Sequence, residues 1–163
     1  MAVTAIHFLR HAHAGDPLKW SGSDFDRPLS AKGREQMARL GTLLALIGFS
    51  PDAIVASPRL RAAETAELLA GRLGVRSRID VRLADPLSLS TIERILVDAG
   101  DPAQPLLVGH DPDFSELVAL LTGALDLPMR KGALARIDAE RPLQPGCGTL
   151  RWLLPPELVP DLG

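Results

Sequence analysis

The sequence holds one cysteine, no tyrosine and only 4% aromatic residues in 163 positions. A lone Cys147 cannot close an internal disulfide and cannot supply a Cys-rich metal site, and no secretory signal pattern precedes it. The expected compartment is therefore the reducing cytoplasm. Long apolar runs are missing too: the N-terminal one stops at Arg10, far short of the roughly 20 residues a membrane-crossing helix needs. No Lys/Arg block exceeds two residues, and 18 basic residues face 20 acidic ones for a formal net charge of -2. That balance argues against nucleic acid as a partner. The 14 prolines and 14 glycines are scattered as punctuation, with no linker, repeat or low-complexity segment.

What the chain does have is apolar material. At 46% hydrophobic content it has the length and the core of one ordinary domain, so residues 1–163 are expected to form a single domain. Val3 to Leu9 reads as a short buried strand, followed by a Gly- and Pro-bearing loop from Ala14 to Leu29. Ser30 is placed to cap a helix running to about Ile47, with Met37, Leu40, Leu44 and Ile47 on one face. Ala53 to Ala56 is a second strand, and Ser57-Pro58 supplies a cap and first-turn proline for a helix whose buried stripe is Ala62, Ala66, Leu69 and Leu73.

A weaker strand near Ser77 to Val81 and a helix near Ser90 to Asp98 precede a buried strand at Pro105 to Val108. Asp111-Pro112 repeats the cap-and-proline device before a helical face of Phe114, Leu117, Val118 and Leu121. Ala133 to Ile137 and Thr149 to Leu154 read as late strands, the second alternating Leu150, Trp152 and Leu154, and the tail after Pro155 looks loosely held.

Strand–helix alternation with short connections implies an α/β fold: a three-layer α/β/α sandwich with a mainly parallel sheet and an antiparallel edge. Ligands of such sheets bind beyond the carboxyl ends of the strands. Arg10-His11, Ser57 through Arg61, and His110 each follow a predicted strand directly, so three segments deliver polar groups to one rim. Arginine forks and helix N-termini suit phosphate oxygens, a neutral imidazole can attack phosphorus, and a second histidine can donate to the oxygens that gain charge. The residues point to phosphoryl chemistry without an obligatory metal or other cofactor.

The stretches Leu9-Arg10-His11, Arg27-Pro28-Leu29-Ser30-Ala31-Lys32-Gly33-Arg34, Ser57-Pro58-Arg59-Leu60-Arg61-Ala62-Ala63-Glu64-Thr65 and Val108-Gly109-His110 stand in an order that resembles the histidine phosphatase superfamily, whose fold is phosphoglycerate mutase-like. The short chain and the RPLS-x-x-GR stretch resemble its SixA-type phosphohistidine phosphatase branch. The resemblance implies that His11 becomes phosphorylated, that Arg10 and Arg61 bind the phosphoryl oxygens, and that His110 completes the pocket. It implies a phosphatase whose substrate is a phosphohistidine on a partner protein, such as a histidine-containing phosphotransfer domain, or else a small phosphoester. Arg59 holds a position that does not define the motif and is expected to be peripheral.

Two departures stand out. Ala12 replaces the glycine usual after the first-motif histidine, and the glutamate many members use to protonate the leaving group has no obvious counterpart. Asp85 is the candidate acid, with Asp16 and Asp24 of the first loop as others. A phosphorylated imidazole is a good leaving group once protonated, so a pocket without a placed acid favours phosphohistidine over ordinary esters. His11, His13 and Asp16 form an H-x-H-x-x-D pattern that is weak as a metal site, and His13 is expected to be a loop histidine or a substrate-side contact. His7 is expected to be structural, and Cys147 has no basic neighbour to activate it.

Overall fold

A computed structural model describes residues 2–163. One six-stranded sheet runs through it, built from β1 (Val3–Arg10), β2 (Ala53–Ala56), β3 (Ser77–Ile79), β4 (Pro105–Gly109), β5 (Leu134–Glu140) and β6 (Gly148–Leu154) in the order β3-β2-β4-β1-β5-β6. β3, β2, β4 and β1 are mutually parallel, whereas β5 runs antiparallel to β1 and β6 antiparallel to β5. Helices α1 (Ala31–Leu46) and α2 (Leu60–Leu73) pack Met37, Leu40, Leu44, Ala62, Ala66 and Leu69 against Leu9, Ile54 and Val108 of one sheet face. Helices α3 (Leu89–Asp98) and α4 (Asp113–Thr122) cover the other face, setting Ile92, Ile95, Phe114 and Val118 against Ile6, Phe8 and Leu107. The period-2 alternation of β1 thus feeds two cores, and the three-layer α/β/α sandwich with its antiparallel edge is present.

Register sets the site. Arg10 pairs with Gly109 and Ala56 with Val108, so β1, β2 and β4 end side by side and the residues that follow them share one rim. No helix among the described residues is long and apolar enough to cross a membrane.

Several local expectations need correction. α2 begins at Leu60, flanked by an extended Arg59, so Ser57 does not cap it. Its hydroxyl instead accepts from Arg59 N–H at 3.2 Å and faces His110, because a turn there competes with early helix formation. α4 begins at Asp113 after Pro112, and the Asp111 carboxylate takes the Ser115 N–H and hydroxyl at 3.0 and 2.6 Å. β3 stops at Ile79 and gives way to a short 3-10 turn, Val81–Ala84, capped by Asp80. In β6 a register irregularity opposite Arg136/Ile137 breaks the alternation, sending Leu150 and Leu153 to one core and Trp152 and Leu154 to the other. Ile47 is exposed rather than part of the buried α1 face. The tail is docked: Val159 is buried, and Glu157 and Asp161 pair with Arg130 and Arg39.

Candidate active site

The short motifs hold one another in place. Ser30 caps α1 by accepting from Gly33 N–H at 3.1 Å, and its own N–H donates to the His13 carbonyl at 3.0 Å. A Cβ at Gly33 would stand 2.0 Å from that carbonyl oxygen, so only glycine lets α1 approach the segment after β1 so closely. Glu64 on α2 accepts from Leu29 N–H at 2.9 Å and pairs with Arg34. Thr65 accepts from Ala12 N–H at 3.1 Å and donates to the Arg61 carbonyl at 2.7 Å. The RPLS and S-P-x-x-R-A-A-E-T stretches are therefore coupled through hydrogen bonds that also fix the backbone just after His11, at Ala12 and His13.

His11, Arg10, Arg61 and His110 line one cavity of about 550 Å³, together with Arg59, Asp85 and others named below. The His11 and His110 rings lie 5.3 Å apart between centroids. His11 Nδ1–H donates to the Ala12 carbonyl at 2.8 Å, which fixes the tautomer and leaves Nε2 as the lone-pair nitrogen. Among the described residues Nε2 has no hydrogen-bond partner, and the ring lines the cavity. His110 is braced by Ser57, whose Oγ lies 2.7 Å from Nε2. Arg10 donates from Nη1 to the Met129 carbonyl at 2.9 Å, with Asp111 at 3.6 Å. Arg61, buried at the start of α2, donates from Nη1 to the Asp24 carbonyl at 2.8 Å and from Nη2 to its carboxylate at 3.2 Å.

Four buried side-chain nitrogens or oxygens among the described residues have no partner: Nε of Arg10, Nε of Arg61, Nδ1 of His110 and Nδ1 of His7. Buried polar atoms are nearly always satisfied, and three of these four belong to residues that line the cavity with His11.

Burial, with lesser contributions from His110, Arg61 and Arg10, pushes the His11 imidazole down from 6.5 to about 3. Burial and then Arg61, Arg59 and Arg10 lower His110 to about 4. Both rings are neutral at physiological pH, which keeps a lone pair on His11 and a ring N–H on each. His7, buried between the rings of Phe49 and Trp152, is lowered to about 4, chiefly by burial. It lies away from the cavity.

These shifts have a signed consequence for stability. The unfolded chain takes up protons at the three imidazoles as pH falls through 6.5, while the folded chain does not until about 4 or below. The unfolding free energy is expected to be level above pH 6.5 and to fall progressively toward pH 4, with His7 and His110 each contributing roughly 3 kcal/mol of the loss. Urea titrations at intervals between these limits measure it, and a stability that rises on acidification would contradict neutral rings.

The candidate acids separate. Asp16 caps the 3-10 turn Pro17–Lys19 through Leu18 N–H at 2.9 Å and does not line the cavity. Asp24 does line it, but bonding to Arg27 and then the charge of Arg61 hold its carboxyl below the usual range, which suits a tether for arginines rather than a proton donor. Asp85 stands at the cavity wall, at the end of the turn Val81–Ala84. Asp113, which sequence reasoning passed over, is also in the wall, and burial followed by Glu116 raises its carboxyl pKa. Arg27 and Lys131 were missed as well. Arg27 is buried, donating to Asp24 and to the Ala14 carbonyl at 2.9 Å each, and its place in the RPLS stretch was the available signal. Arg59 is not peripheral: it lines the cavity 3.7 Å from Asp24 and 5.5 Å over the Phe25 ring. Lys131 enters from the segment before β5, with no local pattern to mark it.

His13 is turned elsewhere. Its Nδ1 lies 2.6 Å from Ser30 Oγ, and its N–H donates to Gln36 at 3.0 Å. Among the described residues no three His, Cys, Asp or Glu side chains converge as a cation site.

Against known proteins, the sequence matches the histidine phosphatase superfamily (branch 1) over residues 6–87. The chain belongs to this superfamily. An uncharacterised protein of Picosynechococcus sp. is 36% identical over 114 residues, covering 68% of this chain and 68% of that protein. In fold, the chain is similar to the protein histidine phosphatase SixA complexed with tungstate, with a TM-score of 0.81 and 23% identity over 94% of this chain and 97% of the other. The alpha-ribazole phosphatase from Shigella flexneri superimposes with a TM-score of 0.72 at 20% identity, covering 94% and 97%. The sheet and its helices are those of the phosphoglycerate mutase-like fold, and membership places the chain among phosphatases and related phosphoryl-transfer enzymes.

Proposed function

We propose that the chain is a protein phosphohistidine phosphatase that carries the phosphoryl group transiently on His11. The observation that carries this reading is the meeting of the Arg10 and Arg61 guanidinium groups and the His110 ring in one cavity with an imidazole whose Nε2 is free. Such donors satisfy an oxyanion that arrives with the substrate.

The lone pair of His11 Nε2 attacks phosphorus, and the bond from phosphorus to the substrate's ring nitrogen breaks. The departing imidazole keeps the bonding electrons and leaves as the neutral ring, having been protonated beforehand. Arg10, Arg61 and His110 hold the phosphoryl oxygens as charge spreads over them. Water then attacks phosphorus, the bond to His11 Nε2 breaks, and inorganic phosphate departs with the ring restored. The charge is supplied by guanidinium groups and imidazole N–H donors, so these steps need no metal or other cofactor. The partner is a protein bearing phosphohistidine, such as a histidine-containing phosphotransfer domain.

A second reading, a small-molecule phosphoester phosphatase in the same pocket, is favoured by the Asp85 and Asp113 carboxyls in the cavity wall, the latter raised toward protonation. An alkoxide leaving group needs such a donor, which contributes about 100- to 10,000-fold. Comparing rates on a phosphohistidine protein and a panel of alkyl phosphates separates the two. The expected result is preferred turnover of phosphohistidine, little altered in Asp85→Asn and Asp113→Asn. Preferred turnover of an alkyl phosphate, lost about 100-fold or more in either variant, would establish the ester reading instead.

A further inference from the structure

A second cavity, of about 570 Å³, adjoins the first and shares Arg10 and Lys131 with it. It lies between the first turns of α1, the segment before β5 and the C-terminal turn Pro156–Leu158, and its walls add His13, Lys32, Arg39 and Arg130. Its two carboxylates are already engaged, Glu35 with Arg39 at 3.0 Å and Glu157 with Arg130 at 3.4 Å. Lys32 and Lys131 pair with no carboxylate among the described residues. Burial and the nearby Arg10, Arg27 and Arg61 pull the Lys131 ammonium below its usual range, and burial with Lys32, Lys131 and Arg27 lowers the His13 ring. Five cations, Arg10, Lys32, Arg39, Arg130 and Lys131, thus face two carboxylates in the groove, and an incoming anion relieves the repulsion of the excess positive charge.

We infer that this groove receives carboxylate side chains of the protein substrate that flank its phosphohistidine, an inference that rests on the function proposed above. The shared Arg10 and Lys131 make an anion in the groove an immediate neighbour of a phosphoryl group at His11. The form of the donors argues for a protein surface over a small bis-anion. Arg61 and Arg27, which face the phosphoryl cavity, have side chains only 9% and 8% exposed, as fixed recognition of one small anion requires. Arg130 and Arg39 in the groove are 76% and 40% exposed on long stems. Exposed, adaptable cations suit an acidic surface of variable spacing, steering it by charge.

The test uses the full chain with two chemically phosphorylated phosphohistidine peptides, one with aspartate and glutamate around the histidine and one with serine and asparagine in their place. At low ionic strength kcat/KM is expected to favour the acidic peptide about tenfold or more, through KM, with the preference shrinking as salt screens it. The double variant Lys32→Glu, Arg130→Glu should bring the ratio to one or invert it. Equal kcat/KM for the two peptides in the wild type, or a preference that survives charge reversal, overturns the inference while leaving the phosphohistidine reading intact. If neither peptide is turned over while small phosphoesters place acid-labile phosphate on His11, the protein-substrate reading fails and the inference with it.

Discussion

Replacing His11 with alanine is expected to lower turnover by about 10⁴-fold or more, because it removes the neutral imidazole whose Nε2 lone pair is free in the cavity. His110 is the other imidazole among the described cavity-lining residues, and its Nε2 is engaged by Ser57, which leaves Nδ1–H as a donor rather than a lone pair. The guanidinium groups cannot attack at any accessible pH. The fold should survive the change. His11 is held neutral in a buried place, and alanine removes one hydrogen bond to a carbonyl that immediately follows it in the chain. Truncating such a side chain costs about 1–3 kcal/mol. Circular dichroism and thermal melts should therefore remain those of a folded chain while the acid-labile phosphoenzyme disappears. Activity above about one per cent of wild type in a folded His11→Ala protein would remove His11 as the nucleophile.

Periodicity made the sheet and its helices legible because the buried residues of α1 and α2 and the alternation of β1 follow from local geometry alone. The site was legible for a different reason. A parallel sheet puts the residues after β1, β2 and β4 on one rim, so the sequence order of Arg10-His11, Ser57 through Arg61, and His110 already implied their meeting. What remained hidden depended on long-range partners. Ser57 turns from a helix cap into a brace for His110 only because β2 and β4 are neighbours, a pairing invisible in the S-P dipeptide. Arg27 is pulled inward by Asp24 and the Ala14 carbonyl within a loop whose course has no period to read. Lys131 and Asp113 reach the cavity from the segment before β5 and from the start of α4, and nothing in their flanking residues marks the approach. The irregularity in β6 escaped for the same reason: Leu150, Trp152 and Leu154 alternate in sequence, whereas the pairing with β5 slips by one residue between them.

Arg61→Ala is expected to cost about 100- to 1,000-fold in kcat, the scale found when one preorganised donor to a developing oxyanion is removed. The residue earns that weight from its setting. Its side chain is nearly enclosed, its carbonyl is held by Thr65, and its two terminal nitrogens are aimed by the Asp24 carbonyl and carboxylate, so little motion remains to be lost when a phosphoryl group binds. Lysine restores the charge but not the fork, so Arg61→Lys should recover no more than about tenfold of the loss. A purely structural role predicts otherwise, since both variants would then lose activity in proportion to lost folded protein. Binding of tungstate or vanadate, monitored by calorimetry on samples shown to be folded, separates these cases. The oxyanion affinity should fall with kcat in both variants, and an alanine variant that binds the oxyanion as tightly as wild type would mean that Arg61 orders the Asp24 loop and leaves phosphoryl contact to Arg10 and His110.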